Sequence, residues 1–483
     1  MNLLSLVLDH NSKDPMYTQL FRWFQVNIEE GKIQPGEKLP SLRALSSQLA
    51  VSITTVQAAY NQLVVEGYAS NRPQSGYYAE DLRHAPSAGR PTAETRRQTF
   101  QAFITQEPKY RYDLSSFNYT KWKKCMSKVL NEYPALLLSE GDPQGEPMLR
   151  EEISRYVYNA RGVNCTPDQI VISAGTQQLT SHLVRILSEI DVHLIETEDP
   201  GYKPVQKIFR DNGYSVMPIP VKKDGIVIEQ LPENVSSAVY VNPSNQFPTG
   251  SVMPVGRRYQ LLDWAERNHS LIIEDDYDSE LRYFGKPIPS LQGLRADAPV
   301  VYLGSFSSTL FAAIRMSYMV LPDRLAEIFQ HIKSQYDQTS SKTEQLTLAL
   351  YMERGYYGIH LKKLRSLYAQ KLKTALRALE RYGAGFLTPL NRSSGIHIPL
   401  TVRLSEQNFS SGASPETPAA TAAAMTRRLC AAAEELRLKV LPLPSESGAR
   451  HCGLLFYYNQ IPFDEIDAAV EELTARWRKI LCI

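Results

Sequence analysis

The sequence has few cysteines, no long hydrophobic run and almost no net charge, and each of these absences excludes a class of protein. Five cysteines among 483 residues are scattered without a Cys-x-x-Cys pair, which argues against a disulfide framework and a zinc site. No apolar stretch approaches the length that crosses a bilayer, and the first residues lack the pattern of an export signal. We therefore expect a cytoplasmic protein with no membrane partner and no bound metal.

The charge balance says little about chemistry, whereas the length bounds the architecture. The chain carries 53 Lys and Arg against 51 Asp and Glu, so the net charge of +2 does not by itself indicate a nucleic acid partner. Because 483 residues exceed the usual length of one domain several-fold, more than one domain is expected.

Three blocks differ in their sequence pattern. Residues 1–81 have helical periodicity, and residues 82–108 are rich in Pro, Ala, Thr, Gln and Arg, as in a linker. From residue 109 onward, short β-branched runs such as IVIS, SAVYV and LIIED alternate with helical segments, which predicts a mainly parallel sheet covered by helices. A low-complexity stretch at 406–424 is predicted to be a mobile surface insertion.

The first block is predicted to contain three helices and a β-hairpin. The helices are expected at Tyr17–Gly31, after the N-cap Ser41, and at Ile53–Glu66, and the hairpin at Asn71–Tyr78. This order is typical of a winged helix-turn-helix, whose third helix can enter a DNA major groove.

Polar residues at the predicted surface of this block have the chemistry of DNA contacts. Four begin the third helix, where base edges and phosphates are reached, and two arginines lie on the second helix and in the hairpin. Residues 1–80 contain six Lys and Arg and seven Asp and Glu, so their net charge is −1. DNA binding must therefore depend on local charge placement or on the linker. A helical interaction module without a DNA role is the alternative. The predicted DNA-contacting residues are Arg43, Ser52, Thr54, Thr55, Gln57 and Arg72.

The string LPSLRALSSQLAVSITTVQAAYNQLVVEGY resembles the DNA-binding domain of GntR-type regulators. Two positions depart from the family pattern. Ile53 follows the Val-Ser pair where the family usually has Arg, and Pro73-Gln74 replaces the glycine that commonly follows Arg in the wing. The resemblance implies binding to a double-stranded DNA operator, whose sequence these departures leave open.

From Asp142 onward the motifs resemble fold-type I pyridoxal 5'-phosphate (PLP) enzymes, and the combination with the first block resembles MocR-type regulators. VNPSNQFPTG, RRYQLLDWA and IIEDDYDSELRY carry most of this resemblance. It implies an aminotransferase-like large domain at 109–385 and a smaller C-terminal α+β domain at 386–483. It also implies a homodimer.

PLP requires a phosphate cradle, an acid beside the pyridine nitrogen, a hydroxyl contact, a stacking aromatic and a lysine. The Gly-Thr-Gln run after IVIS opens a helix whose N–H groups can hold phosphate. The resemblance supplies a second phosphate contact, a stacking tyrosine, a carboxylate, a hydroxyl contact and an asparagine beside the ring. The implied residues are Gly175, Thr176 and Gln177 for the phosphate cradle, Ser305, Ser307 and Arg315 for the second phosphate contact, Tyr202 for stacking, Asp275 for the carboxylate, Tyr277 for the hydroxyl contact and Asn245 beside the ring.

One position lacks the reactive group that the family uses. The family pattern ends in lysine, whereas this chain has Gly304-Ser305-Phe306-Ser307-Ser308, so Ser308 occupies the place of the Schiff-base lysine. No lysine occurs between Lys286 and Lys333. Because a serine hydroxyl can neither form an imine nor serve as the proton-transferring base, no residue is assigned a catalytic role.

Two further departures concern the walls of the site. Gln460 stands where some relatives have an arginine for a substrate carboxylate, and Tyr457 replaces a glycine. The segment before Trp122 is shorter than in relatives, which predicts that one wall of the site is missing.

Four hypotheses follow. The first is a transcription regulator whose aminotransferase-like domain dimerises and senses a small effector, such as PLP, an amino acid or a derivative, without transaminase activity. The second is an active PLP-dependent aminotransferase with an appended DNA-binding domain. The third is noncovalent binding of PLP or of a PLP–amino-acid adduct, and a vacant or repurposed site is its alternative. The fourth is that Ser308 is an engineered replacement or a sequence artefact.

Overall fold

The structure is a computed structural model that separates into two units, Met1–Glu107 and Pro108–Ile483. Most of the predicted linker 82–108 and residues 406–417 of the predicted insertion lie outside the described residues. The residues that the structure describes are 8–9, 12, 14–73, 75–82, 108–283, 288–390, 394–405, 418–443 and 451–483.

The first unit has the predicted order of three helices and a hairpin. Its elements are α1 (Met16–Glu29), α2 (Leu42–Leu49), α3 (Ile53–Val65), β1 (Ala69–Arg72) and β2 (Gly76–Ala79). The two strands pair antiparallel. The helices form because apolar residues recur at helical spacing and meet in one core, which includes Leu20, Phe24, Leu45, Val56, Tyr60 and Leu63. The winged helix-turn-helix prediction is confirmed.

The second unit is built around an eight-stranded mixed sheet. Five neighbouring strands run parallel, and the antiparallel β10 is inserted between β3 and β9. The prediction of a mainly parallel sheet is confirmed. In sequence order, its strands are β3 (Ile170–Ser173), β4 (Leu194–Asp199), β5 (Ser215–Lys222), β6 (Gly225–Ile226), β7 (Ala238–Val241), β8 (Leu271–Asp275), β9 (Val300–Ser305) and β10 (Ser317–Val320). The spatial order is β3-β10-β9-β8-β7-β4-β5-β6.

Helices cover both faces of this sheet, because strands buried on both sides need apolar partners on both sides. Three hydrophobic cores lie between helices and the sheet. One contains Ile172 and Tyr318, the second contains Val301 and the third contains Val239. The helices up to the small sheet are α4 (Tyr119–Glu132), α5 (Pro147–Arg161), α6 (Thr176–Ser188), α7 (Lys203–Asp211), α8 (Val255–Arg267), α9 (Leu291–Leu294), α10 (Asp323–Ile332), α11 (Lys342–Glu353) and α12 (Tyr356–Tyr382).

A four-stranded antiparallel sheet lies in the C-terminal part of the chain, as the predicted α+β domain requires. Its spatial order is β11-β12-β14-β13, and two helices pack on it together with the C-terminal half of α12. These elements are β11 (Leu387–Pro389), β12 (Ile398–Arg403), α13 (Pro418–Glu435), β13 (Val440–Leu443), β14 (His451–Phe456) and α14 (Ile466–Leu481).

Two features refine the predicted boundaries. Residues 418–424 belong to the first turns of α13, so the prediction of a mobile insertion is wrong for this part of 406–424. Alanine-rich sequence favours helix, and Ala422 is buried in the small-domain core. Helix α12 crosses from one core to the other: Tyr357 lies in the large-domain core and Leu379 in the small one. The small-domain core therefore begins before residue 386.

Within the described residues, no helix is both long and apolar enough to cross a membrane.

Candidate cofactor cavity and nucleic-acid interface

The start of α3 is held by the side chain of Ser52. The Ser52 Oγ accepts a hydrogen bond of 3.0 Å from the Thr55 amide, so Ser52 is the N-cap of this helix. The same oxygen lies 2.7 Å from the hydroxyls of Thr54 and Thr55. Ser52, Thr54 and Gln57 are exposed, and Thr55 is half-buried. The residues predicted to begin a recognition helix therefore form one polar, hydroxyl-rich helix end.

Both predicted arginines of this unit are exposed, and that of the wing is positioned by an aromatic ring. The Arg72 guanidinium lies 4.3 Å from the centre of the Tyr78 ring, and Lys38 Nζ lies 5.8 Å from it. The Tyr78 hydroxyl hydrogen-bonds to Ser75 Oγ at 2.7 Å, which lowers the Tyr78 pKa together with the two cations. The hairpin thus presents a local positive cluster despite the negative balance of the first eighty residues.

A cavity of about 840 Å³ lies in the second unit between the ends of the large-sheet strands and residues of the small domain. Its wall includes Ser308 and nine of the ten residues that the resemblance implies for a cofactor. The nine are Gly175, Thr176, Gln177, Tyr202, Asp275, Tyr277, Ser305, Ser307 and Arg315.

One part of the cavity has the features of an anion site. Gly175 precedes α6 and has φ of 92°, a left-handed conformation that favours glycine. A Cβ atom on Gly175 would lie 2.5 Å from an Arg315 nitrogen, so any side chain there would displace the guanidinium. In the part of the chain that the structure describes, the buried Ser307 hydroxyl has no hydrogen-bond partner. This hydroxyl, the N-terminus of α6 and the Arg315 cation can together bind a phosphate.

Asp275, the last residue of β8, places a carboxylate in the cavity wall. Its Oδ2 accepts a hydrogen bond from the Tyr240 phenol of the neighbouring β7. Burial raises the Asp275 pKa to about 6, and the hydrogen bonds from Tyr240 and Asn242 oppose this increase. A carboxyl group in this environment can hold a proton shared with a basic nitrogen.

Asn245 is not among the described residues that line the cavity, and Asn242 lies there instead. Asn242 directly follows β7, and its Nδ2 donates to the Asp275 carbonyl at 2.9 Å. Asn245 is buried in the turn that follows β7. Its Nδ2 atom lies 3.0 Å from the position that a Cβ atom on Gly395 would take. The end of β7 at Val241 thus places Asn242 in the wall, and a position of Asn245 beside the ring stays a prediction.

Ser308 lies in the cavity wall, next to a buried acid that sequence reasoning missed. This acid is Asp278, whose pKa burial raises to about 7, while the Ser308 hydroxyl acts in the opposite direction. Asp278 is 2% exposed and has φ of 57°, so it is held in a strained backbone position behind the serine. The cavity wall thus has a neutral hydroxyl beside a buried carboxyl group at Ser308, the residue predicted to stand in place of the lysine.

The segment before Trp122 forms part of the cavity wall, so the prediction of a missing wall is wrong. Its contributors include Tyr112, Phe117 and Tyr119. The segment is held by Asp113, whose Oδ2 lies 2.5 Å from Nζ of the fully buried Lys371. Lys371 also donates to the carbonyls of Asn459 at 2.9 Å and Ile461 at 2.7 Å. One buried cation therefore fixes two segments around the cavity.

The residues of this cavity fit most of the groups of PLP. An anion site, a carboxylate for the pyridine nitrogen and an aromatic side chain, Tyr202, line one cavity. They fit the phosphate and ring of the cofactor, whereas the Ser308 hydroxyl cannot form its usual covalent attachment. The second unit thus has the fold and the cavity of an aminotransferase, and the first unit has the fold of a DNA-binding domain.

Family comparisons agree with this division. The family of bacterial regulatory proteins called gntR matches residues 17–78, and aminotransferase class I and II matches residues 110–396. The HTH-type transcriptional regulator YdeL of Bacillus subtilis, itself uncharacterized, is 41% identical over 393 residues, covering 81% of this chain and 84% of that protein. The probable rhizopine catabolism regulatory protein MocR of Rhizobium meliloti is 31% identical, with coverage of 81% and 83%.

A third relative is the pyridoxine biosynthesis transcriptional regulator PdxR of Corynebacterium glutamicum, 31% identical with coverage of 82% and 85%. Among solved structures, an archaeal alanine:glyoxylate aminotransferase has a TM-score of 0.64 at 21% identity, covering 81% of this chain and 96% of that one. That likeness shows the fold alone. The chain belongs to the MocR-type HTH transcriptional regulators, which join a GntR DNA-binding domain to an aminotransferase-like domain.

Proposed function

We propose that this regulator binds an operator as a homodimer and that its aminotransferase-like domain senses a PLP-type effector without transaminating it. The single observation that carries this proposal is the position of Ser308 in the wall of a cavity that contains nine of the ten implied cofactor residues. Serine lacks the amine that forms an imine and transfers the proton, and the proton transfer alone typically contributes about 10²–10⁴-fold.

The DNA-contacting part of the proposal rests on the first unit. Ser52, Thr54, Thr55 and Gln57 at the start of α3 are assigned to base edges and phosphates. Arg43, together with the Arg72 cluster of the wing, is assigned to phosphates or a guanine. Two copies of this unit in a homodimer would read two half-sites.

The effector part rests on the contacts that the cavity offers. PLP, when bound, supplies an electron sink for reactions at amino-acid carbons. In this chain, Arg315 and the N-terminus of α6 bind the phosphate, Tyr202 packs against the ring, and Asp275 holds the proton of the pyridine nitrogen. Tyr277 contacts the ring hydroxyl. With Ser308 beside them, these groups bind PLP or a PLP–amino-acid adduct noncovalently.

Operator binding can be tested by selecting fragments of the organism's own genome with the full-length protein and sequencing those retained at physiological salt. We expect a few fragments with two similar half-sites, each shifted in a gel. Arg72→Ala should weaken operator binding. It should also reduce the slope of log affinity against log salt concentration by about one, as expected when one phosphate contact is lost. Arg22→Ala in α1, which removes an exposed pair with Asp14, is the matched control. Failure to retain any fragment at low salt would refute the proposal.

The absence of transamination is tested separately. The protein is incubated with PLP, a mixture of amino acids and a 2-oxo acid that accepts the amino group, and the production of new keto acids is measured. We expect no turnover above that of free PLP. Turnover at ordinary enzymatic rates would instead support an aminotransferase with an appended DNA-binding domain.

A further inference from the structure

The cavity contains a second cation, Lys439, for which neither the fold nor the family resemblance gives a role. We infer that Lys439 binds the carboxylate of the amino-acid part of a phosphopyridoxyl ligand, the task that Gln460 cannot perform. This inference rests on the proposed function, because it names the class of effector that the same cavity takes.

Lys439 precedes β13 and brings its side chain from the small domain to the cavity wall. Its Nζ lies 4.2 Å from the centre of the Tyr457 ring, so the ammonium is held over an aromatic face. Within the described residues, no carboxylate lies within 4 Å of this nitrogen. A half-buried ammonium without a counter-ion is energetically costly, and burial lowers its pKa accordingly.

The other charged groups of the cavity wall already have neighbours that explain them. Asp113 pairs with Lys371, and Asp275 accepts from Tyr240. Arg315 borders Gly175 in the proposed phosphate site. Among the described residues of the wall, Lys439 is therefore the cation left for a second anionic group.

The same cavity wall also contains polar atoms without hydrogen-bond partners in the described part of the chain. Asn459 and Gln460 line the same cavity, and their side-chain carbonyl oxygens are buried without a hydrogen-bond donor in the described part of the chain. A ligand that carries a carboxylate beside an N–H group would satisfy both the cation and these oxygens. PLP alone carries no carboxylate and leaves this part of the cavity unpaired.

The volume agrees with the larger ligand. About 840 Å³ lies towards the upper limit of typical small-molecule cavities. The two cations come from different elements, Arg315 before β10 of the large sheet and Lys439 before β13 of the small one. The ligand class with matching groups is an amino acid joined through its nitrogen to the phosphopyridoxyl group.

Two stable probes distinguish the two anionic groups. N-(5'-phosphopyridoxyl)-L-alanine carries both phosphate and carboxylate, whereas pyridoxamine 5'-phosphate lacks the carboxylate. Their dissociation constants are measured by calorimetry on the full chain, without DNA. Lys439→Ala should weaken the alanine adduct by about 10–100-fold, the usual value of a hydrogen bond to a charged group, and change pyridoxamine phosphate by less than about threefold. Lys439→Arg should retain most of the adduct affinity.

Arg315→Ala is the matched control and should weaken both probes to a similar extent. Unchanged binding of pyridoxamine phosphate shows that Lys439→Ala is folded. Equal loss of both probes in Lys439→Ala and Lys439→Arg, unchanged adduct affinity in Lys439→Ala, or no binding of either probe to the unsubstituted protein would overturn the inference. Because no DNA is present, failure of operator binding leaves these outcomes unaffected, and the two proposals can fail separately.

Discussion

The phenol of Tyr240 donates a hydrogen bond to the carboxylate of Asp275 across two neighbouring parallel strands. Tyr240 belongs to β7 and Asp275 ends β8, so the carboxylate is fixed where the strands open into the cavity. Despite this hydrogen bond, burial raises the Asp275 pKa to about 6. The cavity therefore contains an acid that changes its charge near neutral pH and has a defined orientation.

This shifted pKa predicts how stability depends on pH. A carboxyl group whose folded pKa exceeds its ordinary value of 3.8 stabilises the fold below about pH 4, and this contribution is lost as the pH rises through 6. Above pH 6, Asp275→Asn should therefore raise the unfolding free energy of the ligand-free protein by about 1–3 kcal/mol, and with it the melting temperature. Below pH 4, the substitution should leave the melting temperature unchanged.

The melting temperature is measured by scanning calorimetry between pH 4 and pH 8. Asp297→Asn, at an exposed acid, is the matched control and should have the same effect at every pH. A constant difference between Asp275→Asn and the unsubstituted protein at all pH values would contradict the shifted pKa.

Ser308→Lys should allow PLP to attach covalently. The substitution supplies an amine in the cavity wall, and its neutral form can attack the PLP aldehyde and release water as the imine forms. We expect visible absorbance from an imine, and after borohydride reduction a mass increase of one phosphopyridoxyl group on a peptide containing residue 308. Ser308→Ala should show neither.

The unsubstituted protein is the decisive comparison. If borohydride reduction of the unsubstituted protein with PLP labels a lysine in the cavity, above all Lys439, covalent attachment does not require position 308. That result would contradict the assignment of Ser308 as the cause of noncovalent binding.

Ser52 separates the stability of α3 from its contact with DNA. Ser52→Ala removes the N-cap and should weaken α3 by about 1 kcal/mol, whereas Ser52→Asp keeps a capping oxygen but adds a negative charge at the proposed phosphate contact. Hydrogen exchange of the α3 amides should therefore increase only in Ser52→Ala, while operator affinity falls in both variants. Ser47→Ala, at an exposed position of α2, is the control for exchange. Unchanged operator affinity in Ser52→Asp would exclude Ser52 from the interface.

The buried pair of Lys371 and Asp113 is expected to dominate the stability of the cavity wall. Lys371→Met leaves the Asp113 carboxylate buried without its cation and should cost about 3–5 kcal/mol in urea unfolding. The double variant with Asp113→Leu should regain part of this loss, since no charge then remains unpaired. A double variant no more stable than Lys371→Met would show that the carbonyl contacts of Lys371, and not the ion pair, carry the effect.

Much of the fold was predictable because the signals are local. Apolar spacing identified α3 through Val56 and Leu63, and a cap residue identified the start of α2 at Ser41, whose Oγ accepts from the Ala44 amide. The strand-end position of Asp275 follows from the buried run before it. These features depend on residues close together in sequence, so no knowledge of tertiary packing was needed.

The rest of the site depends on packing between distant segments. Lys439 and the wall around Phe117 reach the cavity only because the small domain and the start of the second unit fold onto it. Asn245 was assigned from its motif, but the end of β7 places Asn242 at the cavity. No signal in a single sequence specifies such contacts between segments.

The most direct test of the central claim is the coupling between the cavity and the operator. Operator affinity is measured with and without saturating N-(5'-phosphopyridoxyl)-L-alanine, and the affinity for this ligand is measured with and without operator DNA. We predict a change of about 5–150-fold, of equal size in both directions as linkage requires. Operator affinity that is identical in the presence and absence of the bound ligand would contradict a sensing role for the aminotransferase-like domain.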